Sequence, residues 1–199
     1  MLIARTAPDF TTQAVVSDGS IEKSYNLFEK KQNKYAVLFF YPFDFTFVCP
    51  SELIALDKRM DVFKKLNAEV IACSVDSVHV HHAWRRTSIS EGGIGPVNYT
   101  MIQDVDHAIC QSYGVEHHQE KTATRAAFII DQNNIVQAQI MHNLPLGRNV
   151  DEIIRVLQAL QHHEKHGEVC PVGWQEGQRS MVPDQDGVKA YLKEMAETL

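Results

Sequence analysis

Residues 35–41 read Tyr-Ala-Val-Leu-Phe-Phe-Tyr, an apolar run with no polar position. Successive side chains of a strand point to opposite sides, so a strand of this kind offers water no face and must be covered on both. The rest of the chain supplies the cover. Further strand patterns occur at 69–75, 99–102, 126–131 and 135–141, the last two flanking the polar turn Gln132-Asn133-Asn134 that predicts a hairpin. Helical patterns occur after Cys49, with Leu53, Leu56, Met60, Phe63 and Leu66 forming one stripe, and at about 77–89, 104–113 and 149–163. Strands alternating with helices indicate an α/β fold with a mixed central sheet flanked by helices.

With 199 residues, 44% of them hydrophobic and 22% charged, the chain can bury one well-filled core. Residues 1–166 read as the main domain. From 167 a polar arm bearing Pro and Gly leads to Val188, Tyr191, Leu192 and Met195, one apolar face of a short terminal helix. The formal charge of −6 argues against nucleic acid or an acidic membrane as partner. No apolar run is long enough for a transmembrane helix, and the N-terminus lacks a signal-peptide pattern, which leaves a cytoplasmic location as the expectation. Four cysteines, 49, 73, 110 and 170, are too few for a disulfide scaffold and show no C-x-x-C spacing.

Cys49 follows the apolar strand and precedes Pro50, a residue suited to the first helical position because its missing N–H is not needed there. Unpaired backbone N–H groups and the positive end of the helix dipole favour negative charge on a sulfur so placed. Ionisation alone is a small lever. An ordinary cysteine thiol is about 3% thiolate at pH 7, so complete ionisation gains about 30-fold, or about 2 kcal/mol. Further acceleration has to come from groups that orient a substrate and stabilise the charge that develops on it.

The pattern Pro42-x-x-x-Thr46-x-x-Cys49, with Glu52 in Pro50-Ser51-Glu52-Leu53, resembles the active-site motif of the peroxiredoxins. Val169-Cys170-Pro171 resembles the second cysteine motif of their typical two-cysteine group, which includes the thioredoxin peroxidases and the bacterial alkyl hydroperoxide reductases. The likeness runs from Ala7-Pro8-Asp9-Phe10 to Trp174. It implies a thioredoxin-like fold with peroxiredoxin extensions and a C-terminal arm with a short helix. It also implies a thiol-dependent peroxidase that reduces hydrogen peroxide and organic hydroperoxides without a bound cofactor. Cys49 would be oxidised to a sulfenic acid and Cys170 of the partner subunit would resolve it to an intersubunit disulfide. Thr46 and Arg125 would position and stabilise, Pro42 would shield the pocket, and Glu52 would orient arginine, with Arg148 in the same network.

The resemblance further implies a homodimer, assembled into a ring of five dimers, with thioredoxin or a dedicated flavoprotein disulfide reductase as electron donor. A redox-dependent holdase chaperone or peroxide-signalling scaffold is the alternative. A general disulfide oxidoreductase is disfavoured by the absence of C-x-x-C. Cys73 and Cys110 read as core packing. The groups at His79, His81 and His82, His117 and His118, and His162, His163 and His166 read as surface histidines, and no metal site is expected, although His162 and His166 share a helix face. His81 matches a family position of no derivable role. Gly92-Gly93-Ile94-Gly95 resembles the glycine loop of peroxide-sensitive peroxiredoxins, whereas Tyr191-Leu192 replaces their Tyr-Phe pair. Intermediate sensitivity to overoxidation is the expectation.

Overall fold

A computed structural model describes residues 1–198. The chain divides into two compact units, Met1–Val150 and a second that begins at Asp151. In the first, the elements run β1 (Thr11–Val15), β2 (Ile21–Asn26), α1 (Leu27–Lys31), β3 (Tyr35–Phe40), α2 (Cys49–Asp57), α3 (Met60–Lys65), β4 (Ala68–Ser74), α4 (Val78–Arg86), β5 (Thr100–Gln103), α5 (Ala108–Ser112), β6 (Arg125–Ile130) and β7 (Val136–His142). The strands form one sheet in the order β2-β1-β5-β4-β3-β6-β7. β3 pairs parallel to β4 and antiparallel to β6, and every one of its residues is buried, as an uninterrupted apolar strand requires.

The two faces of β3 carry different cargo. Leu38 and Phe40 join Cys73, Cys110, Tyr113 and Phe128 in the main apolar cluster. There Phe40, Tyr113 and Phe128 stand with ring centroids 5.0–5.8 Å apart. Phe39 points to the other side, where the Arg148 guanidinium lies 3.4 Å from its ring centroid. One face of the sheet therefore carries the main apolar cluster, and the other receives the Arg148 charge.

The structure differs from the sequence patterns, or adds to them, at four places. β1 and β2 escape the strand patterns because their exposed faces are polar and only the ends of the hairpin are buried. Their turn signal, Asp18-Gly19, is present, with Asp18 Oδ1 accepting Ser20 N at 2.8 Å. The stripe through Leu66 is two helices, not one, interrupted at Lys58 and Arg59. There Arg59 N turns to Leu56 O, and Asp57 Oδ1 accepts Asn98 N at 2.6 Å. The helix expected from 104 starts at Ala108, because Asp104 spends its carboxylate on the N–H groups of Ile109 and Cys110 and His107 is left-handed at φ 62°. The terminal helix, α7 (Gln185–Met195), begins earlier than its apolar face, at the Asp184 cap.

The second unit holds the body of α6 (Val150–His166) and α7, with Trp174 and Tyr191 buried. Among the described residues no helix is long and apolar enough to cross a membrane.

Arg85 fastens the β1–β2 hairpin to α4. Its buried guanidinium donates to the carbonyls of Val15, Val16, Ser17 and Val97 at 2.7–3.2 Å. Arg85→Met leaves several of these acceptors unpaired at about 1 kcal/mol each, so the melting temperature should fall by roughly 6–12 °C in a calorimetric scan.

Candidate active site

The stretch between β3 and α2 is held at several points before it delivers its sulfur. Thr122 Oγ1 donates to the Pro42 carbonyl at 2.6 Å. The buried Asp44 carboxylate accepts Tyr41 OH at 2.6 Å and meets His81 Nδ1 at 2.8 Å, and its backbone N–H donates to Asp76 Oδ2 at 2.9 Å. His81 Nε2 lies 3.1 Å from the Ile102 carbonyl, so both ring nitrogens of His81 face acceptors. Burial raises Asp44 above the usual carboxylate range, against the pull of its hydrogen bonds to His81 and Tyr41. Phe45 takes a left-handed turn at φ 53° and its ring stands 5.7 Å from that of Trp84. These constraints fix where Thr46 must sit.

Thr46 Oγ1 lies 2.9 Å from Cys49 Sγ and equally far from the Phe43 carbonyl. A hydroxyl has one proton to give. With a thiolate at Cys49 it donates to sulfur; with a thiol it can accept from S–H and donate to Phe43. Arg125 NH1 approaches the same sulfur at 3.3 Å while its Nε donates to the Leu144 carbonyl at 2.5 Å. Beside the sulfur opens a cavity of about 490 Å³, walled by Pro42, Phe43, Thr46, Phe47, Arg125, Leu144 and Pro145 among others. Its walls are mainly apolar, and Thr46 and Arg125 are the polar groups nearest the buried thiol.

Glu52, in the first turn of α2, joins two arginines. Its Oε2 accepts Arg125 NH1 at 2.8 Å and Arg148 NH2 at 3.1 Å, and its Oε1 accepts Arg148 N at 2.7 Å and Nε at 2.9 Å. Arg148 NH1 donates to the Ala126 carbonyl at 2.6 Å, so each of its three guanidinium nitrogens is engaged. Burial by itself would raise the Glu52 carboxyl. The Arg148 side chain and N–H, then the Arg125 charge, outweigh it and hold the carboxyl below its usual range. Gly147 permits this approach. A Cβ there would come within 3.3 Å of Val48 Cγ1, tighter than ordinary van der Waals contact.

A thiol held by a hydroxyl and a guanidinium invites comparison with known proteins. The sequence profile of the AhpC/TSA family matches residues 3–139, and that of the C-terminal domain of 1-Cys peroxiredoxin matches 159–194. The chain belongs to the AhpC/TSA family. Alkyl hydroperoxide reductase C of Buchnera aphidicola is 45% identical over 96% of this chain and 97% of its own. Mouse peroxiredoxin-2 is 46% identical over 96% and 94%. Among solved structures, the reduced 2-Cys peroxiredoxin of Plasmodium vivax is similar over 97% of this peroxiredoxin and 99% of its own chain, with 45% identity and a TM-score of 0.93. The AhpC of Enterococcus faecalis, 33% identical, covers 85% of this chain with 99% of its own at a TM-score of 0.78.

Within this peroxiredoxin Pro42, Thr46, Cys49, Glu52 and Arg125 converge, and Arg148 joins them. Cys170 lies in the second unit, half-buried, with Sγ 3.5 Å from the Ala159 carbonyl. Burial raises its pKa, partly offset by Arg155. Cys73 is raised well above the ordinary thiol value and Cys110 up to about 12, both mainly by burial, as befits packed thiols. His81 is no surface residue; it is fully buried against Asp44. Asp44, Asp76, Thr122 and the carbonyl of Leu144 escaped the sequence reading, and only the acidic residues beside Tyr41 and Ser74 gave any local hint.

The depressed Glu52 pKa has a definite sign. The stabilisation is complete above the ordinary value of 4.5 and is lost as pH falls through the lowered folded value. Glu52→Gln strands two buried cations and should cost about 3 kcal/mol at neutral pH, with the difference from wild type shrinking below pH 4.5. Urea unfolding across pH 3–7 measures both.

Proposed function

We propose that this chain is a thiol peroxidase in which Cys49 attacks the hydroperoxide and Cys170 of the partner subunit resolves the product. The approach of Thr46 Oγ1 at 2.9 Å and Arg125 NH1 at 3.3 Å to one buried sulfur beside an apolar pocket carries this reading. A hydroperoxide enters with its terminal oxygen toward Cys49. The sulfur gives an electron pair to that oxygen, and the S–O bond forms as the O–O bond breaks. The departing oxygen leaves with the bonding pair and takes up a proton as alcohol or water. Arg125 and Thr46 offer donors where that negative charge develops. Apolar walls suit organic hydroperoxides, and hydrogen peroxide needs no more than the polar floor.

Cys49 is then a sulfenic acid. The second thiol attacks its sulfur, a disulfide forms and water is expelled. Because Cys49 is wholly buried, the first turn of α2 has to open for this step. That turn is poorly fastened at its end: Val48 occupies the cap and provides no side-chain hydrogen bond. Glu52 is its principal tether, so the group that orders the site also sets the resistance to opening. Thioredoxin, or a dedicated flavoprotein disulfide reductase, returns both thiols by exchange. A homodimer, and a ring of five dimers, are part of the same proposal; β7 lies at the sheet edge, and beyond Val136, whose backbone pairs with Ala4 and Arg5, its outer side is where a second copy would pair. The arm from residue 167 is the segment that brings the resolving thiol to the partner.

Gly92 and Gly93 shape the loop that follows α4. Gly92 has φ 82°, and a Cβ on Gly93 would lie 2.0 Å from the Thr87 carbonyl oxygen. Tyr191 is buried and Leu192 is 44% exposed, so the terminal helix carries one ring where a Tyr-Phe pair carries two.

Non-reducing electrophoresis with peptide mass mapping after one equivalent of hydrogen peroxide tests the cycle. A dimer linked through Cys49 and Cys170 is expected, with sulfinic acid at Cys49 appearing only at excess peroxide. A monomer bearing sulfenic acid at Cys49 with Cys170 free would contradict the resolving role.

A further inference from the structure

On the other side of the sheet from Cys49 the chain gathers three different ligand chemistries. His107, Cys110 and Glu116 present an imidazole nitrogen, a thiol and a carboxylate oxygen, all within 4.8 Å of one another. Cys110 packs in the cluster of Phe40 and Phe128. Arg125, one residue out of phase with Ala126 and Phe128 on β6, faces the opposite way. The group thus shares no residue with the peroxide site.

Each member is set by backbone rather than by chance. His107 is the left-handed residue before α5, and Asp104 fixes the turn by accepting the N–H groups of Ile109 and Cys110 at 2.8 and 2.7 Å. Glu116 arrives at the bridge it forms with Ala123. His107 Nδ1 already meets Glu116 Oε1 at 2.9 Å, and Cys110 Sγ lies 3.3 Å from the His107 carbonyl. Gln111 Nε2 donates to Glu116 Oε1 at 3.2 Å and Lys121 Nζ stands 3.5 Å from Oε2, so the carboxylate is oriented from outside the trio. The side chains of His107 and Glu116 are 26% and 18% exposed, whereas Cys110 is wholly buried. One side of the group is open to entry, and its inner wall is sulfur.

We propose that His107, Cys110 and Glu116 form a binding site for a divalent transition-metal ion, with Zn²⁺ the ion that this mixed nitrogen, sulfur and oxygen set suits. Zinc bonds of about 2.0–2.3 Å in a tetrahedron place ligand atoms roughly 3.5 Å apart. The wider gaps in the group close by about 1 Å, within reach of small torsions of the two partly exposed side chains. On binding, the Cys110 thiol gives its proton to solvent as the S–Zn bond forms. The ion takes over the contact between His107 and Glu116, and water completes the fourth position. Such an ion would join α5 to the 116–124 loop, which carries Glu120 and Thr122 into the peroxide pocket and ends at Arg125. No local sequence pattern marks the trio, because its ligands come from a cap, a helix and a bridge rather than from one helix face.

The test uses the full-length, chelator-stripped protein in a Cys49→Ser, Cys73→Ala, Cys170→Ser background, which leaves Cys110 as the one thiol. Cobalt(II) is the spectroscopic probe, followed by zinc competition and metal analysis. One equivalent of Co²⁺ should bind with a thiolate charge-transfer band and be displaced by one equivalent of Zn²⁺. Cys110→Ser should abolish the band. His107→Asn, which keeps a residue tolerant of the left-handed backbone, and Glu116→Gln should each weaken binding by at least about 100-fold while leaving the metal-free circular dichroism spectrum intact. Absence of a stoichiometric band, or a band that survives both Cys110→Ser and His107→Asn, would overturn the proposal.

Discussion

One buried carboxylate organises the site. Glu52 sits between the guanidinium groups of Arg125 and Arg148, and each of its oxygens accepts from more than one donor. Counted as charges, Glu52 and its two arginines leave one net positive charge beside the Cys49 sulfur. Negative charge that develops there meets it where water cannot screen it. The interaction also spans three segments of chain, because Glu52 belongs to α2, Arg125 opens β6 and Arg148 precedes α6. Removing the carboxylate would leave both arginines without their ion partner, each still held by a backbone carbonyl, so positioning of the sulfur and local stability are linked here.

A second constraint works from the other side of the thiol. The buried contacts among Tyr41, Asp44 and His81, with Asp76 beneath, hold the loop that places Thr46. Thr46 and Arg125 therefore reach the sulfur from two segments of chain, which Thr122 ties together through the Pro42 carbonyl. The helix start between them lacks a side-chain cap. A firmly held surround around a weakly fastened turn suits the proposed cycle, in which the site is ordered for attack and then opens for disulfide formation.

Much of this was legible in the sequence. The unbroken apolar strand at 35–41 required a two-layer cover, and the Cys49 motif with Glu52 and Arg125 named most of the groups that converge. What was not legible followed from physical causes. β1 and β2 are amphipathic at best, so periodicity gave no signal. The α2–α3 interruption depends on Asp57 binding Asn98, a contact far apart in sequence. The Leu144 carbonyl that holds Arg125 is backbone, and any residue type could have supplied it. His81 looked like one of several surface histidines until its burial against Asp44 was visible.

The central claim, that Glu52 positions the reactive sulfur through its two arginines, is tested most directly by stopped-flow measurement of sulfenic acid formation at Cys49 in Glu52→Gln at neutral pH, on protein whose circular dichroism spectrum matches that of the wild type. The account predicts that the second-order rate constant for hydrogen peroxide falls by about 100-fold, because misplacing a charge-stabilising donor by an ångström costs that much. A rate constant equal to that of the wild type would contradict it and would assign Glu52 to stability alone.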